Sequence, residues 1–167
     1  MLTQPLVFIL FAVIAPNQVR PQPPADFDFR IRFGHCETTD EMDTFTGWFT
    51  RHLPDGSLAM VQLSLRADQM RYLWEKVEKI DFFNYPSTFR GQPRQPPIVN
   101  GRLQFASYQM DIRSNGRMHS VQWDDDQAAA DPRSDGLRRL VGWAVGFILE
   151  SPEVGRLPPA ARLCGRD

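Results

Sequence analysis

Asn115-Gly116 is the dipeptide that most constrains this chain. A type I′ hairpin turn needs φ > 0 at both central positions, and Asn-Gly is the pair that tolerates it best. A turn placed there sets Ser114 against Arg117, Ile112 against His119, Met110 against Val121 and Tyr108 against Trp123. One face then collects Tyr108, Met110, Ile112, Val121 and Trp123; the other collects Gln109, Asp111, Arg113, Ser120 and Gln122. Side chains alternate strictly along a strand, so a slip of one residue would destroy this separation. The register also places His119 on the apolar face, near the turn end. There a histidine packs its ring and reaches a carbonyl or water. A catalytic base would need an acid or nucleophile aimed at the same spot, and the sequence supplies no such partner.

A second hairpin is expected around Pro54-Asp55-Gly56, which suits a three-residue loop closed by a left-handed glycine. It pairs Leu53 with Ser57, Phe49 with Val61, Gly47 with Leu63 and Phe45 with Leu65. Phe49 then points inward, and Trp48, Thr50, His52, Leu58, Met60 and Gln62 share the other face, which is more apolar than a solvent face requires. Upstream, FDFRIRF (27–33) alternates without error and reads as a half-buried strand. HCETTDEMD (35–43) reads as an acidic loop, and the Pro-rich stretch 86–101 reads as a long exposed loop.

Two helices are expected. Met70, Leu73, Trp74, Val77 and Ile80 recur at helical spacing. Asp131 reads as an N-cap and Pro132 as the first residue of a helix whose stripe is Leu137, Leu140, Val141, Ala144, Val145 and Ile148. Gly142 and Gly146 lie across from that stripe, where the tail LPPAARL is a candidate to approach. The order β-β-β-α-β-β-α predicts an α+β fold, an antiparallel sheet of about five strands with both helices packed on one face.

The apolar run Leu6 to Ala15 fits a signal-peptide core and is too short to span a membrane. Residues 1–25 are therefore expected to be a leader with a Pro-rich linker, 26–159 a single domain and 160–167 a tail. The protein is expected to be exported, to the periplasm or medium. A formal charge of −1 gives no case for nucleic acid, which calls for a basic stripe. No stable membrane span is expected after the leader.

Motifs with strong chemistry are missing: there is no phosphate-binding Gly-rich loop, H-E-x-x-H, C-x-x-C or G-x-S-x-G. No cofactor is expected. Cys36 beside His35 is sequence adjacency, not geometry. In an exported chain Cys36 and Cys164 form the single possible disulfide pair. Asp124, Asp125 and Asp126 are weak calcium candidates, against the plainer reading of a solvated turn before a helix.

DTFTGWFT (43–50), KIDFFNYP (79–86) and VQWDDD (121–126), the last leading to a C-terminal helix and LPP, together resemble an uncharacterised family of predicted secreted bacterial proteins. The resemblance covers roughly residues 27–159. It implies export and one compact domain, and it carries no activity and no functional residue.

Three functions follow as expectations. The first is a small exported protein-binding or inhibitory module using Trp48, His52, Leu58 and Met60. The second is a hydrolase with a site assembled from His35, His52, His119 and the acidic loops. The third is a structural subunit that self-associates over Trp48.

Overall fold

A computed structural model describes residues 21–35, 38–90, 98–99, 102–103, 106–125 and 131–160. Its centre is a seven-stranded sheet. The strands are β1 (Asp28–His35), β2 (Thr38–Asp43), β3 (Trp48–His52), β4 (Leu58–Gln62), β5 (Thr88–Arg90), β8 (Ala106–Ser114) and β9 (Arg117–Asp125), in spatial order β4-β3-β2-β1-β8-β9-β5. The short pair β6 (Ile98–Val99) and β7 (Arg102–Leu103) stands apart from it. Every pairing in the large sheet is antiparallel except that of β5 with β9.

The Asn-Gly hairpin has the expected register, with Ile112 opposite His119 and Tyr108 opposite Trp123. Asn115 and Gly116 both take positive φ, 53° and 70°. Phe49 stands opposite Val61, and Gly56 at the turn has φ 82°. Here the expected pairing ends early. Gly47 accepts from the Leu63 N–H at 2.9 Å, but residues 44–47 form a turn, so Phe45 does not pair with Leu65. That turn joins β3 to β2, which occupies much of the stretch read as an acidic loop. Strand formation is possible there because the neighbours neutralise the carboxylates: Arg32 donates to Glu41, Arg30 to Asp43 and Arg51 to Asp40. The Pro-rich stretch likewise yields β5, whose Phe89 is buried opposite Trp123.

Helix α1 (Ala67–Lys79) buries Leu73 and Val77. Helix α2 (Pro132–Leu149) starts at the Asp131 cap, whose carboxylate accepts from the Arg133 N–H at 3.0 Å, and buries Leu137, Leu140, Val141, Ala144 and Ile148. Both helices, with the short α3 (Pro152–Gly155), join Phe29, Ile31, Met42, Phe49, Met110 and Ile112 in one core. The helices therefore cover one face of the sheet. The tail as far as Ala160 does not approach Gly142 or Gly146, beside which a Cβ would meet nothing among the described residues. Instead Leu157 packs on the core, and the Pro158 carbonyl accepts from Arg51 at 3.3 Å.

Candidate functional site: the open sheet face at β3 and β4

Alternation decides what the uncovered face carries. Along β1 and β8 it carries charge. Arg30 donates to Asp43 at 2.9 Å and lies 3.8 Å from both Glu41 and Asp111. Asp111 also accepts from Ser120 Oγ at 2.6 Å and from Gln109 at 3.2 Å. The Asp43 carboxylate raises the pKa of the Arg30 guanidinium, against the lowering effect of burial. Phe45, on the turn before β3, lies under the guanidinium groups of Arg113 and Arg30, 4.9 and 5.9 Å from its ring centre. This region is internally satisfied.

Toward β4 the same face turns apolar. Trp48 is 39% exposed, Leu58 54% and Met60 54%. Trp48 stands opposite Gln62 and Thr50 opposite Met60, so Met60 is the diagonal neighbour of Trp48, within reach of a ring that size. Leu58 and Met60 sit two residues apart on one strand and point the same way. His52, opposite Leu58, is half-buried and its Nδ1 lies 2.6 Å from the Thr39 carbonyl oxygen. All four sequence-predicted surface residues are thus brought together.

The backbone adds a feature that sequence reasoning missed. Strand β4 has a partner on one side only among the described residues. Bonded and non-bonded pairs alternate in an antiparallel ladder. The bonds Leu53 N–H to Ser57 O and Leu63 N–H to Gly47 O fix the phase. That phase turns the N–H and C=O groups of Leu58, Met60 and Gln62 outward, away from β3. Neither Pro nor Lys interrupts β4, although those are the residues that usually blunt an exposed edge. The signal was available in the sequence as an apolar LAMVQ beside a helix, but strand order was needed to see it as an edge.

The remaining candidates do not converge. His119 lies on the core face, its Nε2 2.8 Å from the Tyr85 carbonyl oxygen and its ring edge-on to Phe82 at 5.8 Å. It is across the sheet from His52. Both oxygens of Asp125 accept from Arg138, at 2.8 and 3.1 Å, and Asp125 is buried. Among the described residues no three His, Cys, Asp or Glu side chains are placed to hold a metal ion together. Cys36, Asp126 and Cys164 lie outside the described residues, as do the side chains of His35 and Asp124 and residues 1–20 of the leader. No described helix is long and apolar enough to cross a membrane.

No family model, no curated protein and no solved structure matches the chain.

Proposed function

We propose that this is a small exported binding module that takes an extended segment of another protein along strand β4. The observation that carries the reading is the coincidence, on one strand, of an open backbone edge with the exposed side chains of Leu58 and Met60, beside Trp48. Strand addition draws its affinity from main-chain hydrogen bonds and its specificity from alternate side chains. Outward N–H and C=O groups at residues 58, 60 and 62 supply the first. The apolar surface of Leu58, Met60 and Trp48 supplies the second, with tryptophan a frequent interface hot spot. The histidines give a hydrolytic reading no comparable support, because His52 and His119 are on opposite faces.

A photo-crosslinking residue at position 58 or 60, in the protein made in its native cell, tests this. A discrete adduct with a second protein is expected, absent when the crosslinker sits at Gln122 near the opposite edge of the same face. Adducts only with a second copy of the chain would replace the reading by self-association. Equal adducts at 58, 60 and 122 would remove it.

A further inference from the structure

We infer that the groove between α1 and α2 binds a small organic anion, a doubly charged phosphate group joined to a ring. The groove encloses about 460 Å³, a size typical of small-ligand sites. Four cationic side chains line it: Lys76 and Lys79 from α1, Arg133 and Arg139 from α2. Among the described residues none of the four is in an ion pair, whereas Arg30, Arg32, Arg51, Arg66, Arg113 and Arg138 all are. No carboxylate from those residues lines the groove. The acids close by in sequence are engaged or set aside: Asp135 pairs with Arg138, Asp131 caps α2, Asp81 accepts from the Asn84 amide, and Glu75 and Glu78 are not among the lining residues. In a chain of net charge −1, a groove lined by four cations and no carboxylate calls for a counter-charge.

The two helices run antiparallel, which sets the cations against one another. Tyr72 meets Trp143 edge-on at 5.1 Å. Eight residues on from Tyr72, at the C-cap of α1, Ile80 lies so close to Gly136 that a Cβ there would come within 3.2 Å of its Cγ2. Lys76 falls midway between these two crossings, and on α2 the midpoint is Arg139–Leu140. Lys79 is level with Gly136, one turn from Arg133. Cations from both helices therefore line the groove at two levels. Such crowding is unfavourable alone and becomes favourable with an anion between.

Two of the four cations, Lys76 and Arg133, are also pre-positioned. Lys76 Nζ sits 4.4 Å from the Tyr72 ring centre. The Arg133 guanidinium sits 4.4 Å from that of Tyr85 and donates to the Asn84 carbonyl at 3.1 Å. Trp143, 46% exposed, together with Ile80 and Leu140, gives the groove an apolar wall on which a ring can lie. Cations at two levels suit two or more negative charges; the tryptophan wall suits the ring.

Calorimetric titration of the protein with 1-naphthyl phosphate, inorganic phosphate and 1-naphthol tests the inference. Saturable one-to-one binding of 1-naphthyl phosphate is expected, at least about tenfold tighter than of either fragment. The double variant Lys76→Gln/Arg139→Gln should weaken it roughly tenfold or more, the scale of lost charge-assisted hydrogen bonds. It should stay folded and melt close to wild type, because relief of the crowded like charges offsets loss of the Lys76 contact with the Tyr72 ring. Arg156→Gln, on another part of the surface, should bind as wild type does. As a second readout, the ligand should quench tryptophan fluorescence, and Trp143→Phe should abolish that quenching. Failure to saturate at millimolar 1-naphthyl phosphate, or undiminished binding by the double variant, would overturn the assignment. So would indifference to 1-naphthyl phosphate coupled with Lys76- and Arg139-dependent sedimentation with phosphatidylglycerol vesicles, which would make the groove a membrane-docking surface.

Discussion

His119 Nε2 lies 2.8 Å from the main-chain carbonyl oxygen of Tyr85, and this contact ties the Asn-Gly hairpin to the segment after α1. The Tyr85 hydroxyl in turn donates to the Arg133 carbonyl at 2.9 Å, so one residue links β9 to the start of α2. The imidazole is thereby a structural bridge. His119→Ala removes a hydrogen bond worth about 1 kcal/mol and the edge-on packing against Phe82, worth a further ~1 kcal/mol. Urea denaturation should show a lowered midpoint with an unchanged slope. An unshifted midpoint would leave the bridge without energetic meaning.

Asp125 and Arg138 form a second tie, from the end of β9 to α2. Asp125 is 4% exposed, while the Arg138 side chain keeps 32% of its surface in water. Asp125→Ala leaves Arg138 partly in water and with Asp135 as its remaining partner. The cost is expected to be about 2 kcal/mol, below that of breaking a fully buried pair. Replacing Arg138 as well should recover part of the loss, and thermal denaturation of the single and double variants measures the coupling.

Acid should loosen the tip of the long hairpin. The Asp26 carboxylate accepts the N–H groups of Gly116 at 2.7 Å and Asn115 at 2.9 Å. These bonds, the Gly116 one foremost, hold its pKa below the ordinary carboxylate value. A depressed folded-state pKa means the contribution is fully present above the unfolded value, near ~3.9, and is lost as pH falls through the folded one. Carboxyl NMR titration should show Asp26 protonating below that value, with the Asn115 and Gly116 amide shifts moving alongside. Titration at the ordinary value would contradict the clamp.

Much of this architecture was legible locally. Asn115-Gly116 and Pro54-Asp55-Gly56 each carry their own turn chemistry, and the alternation beside them fixes which side chains face in. The acidic strand β2 was not legible, because Asp40, Glu41 and Asp43 are tolerated there only through arginines from β1 and β3. Strand β5 was hidden by its length: Thr88, Phe89 and Arg90 have no period to detect and gain their structure from β9. The open edge at β4 and the cation-lined groove depend on strand order and helix antiparallelism, and neither is a property of any short stretch. The four surface residues at Trp48, His52, Leu58 and Met60 were found because turn geometry alone sends them to one face.

Trp48 offers the most direct measurement. Trp48 and Phe49 are adjacent, yet Phe49 is fully buried and Trp48 is 39% exposed. Trp48→Ala should therefore cost the isolated protein no more than about 2 kcal/mol, well short of the 3–5 kcal/mol lost when a buried tryptophan is truncated. In the same variant the adduct formed by a photo-crosslinker at position 60 should disappear. A Trp48→Ala protein that is unfolded in isolation, or one that keeps the full adduct, would contradict the binding surface at β4.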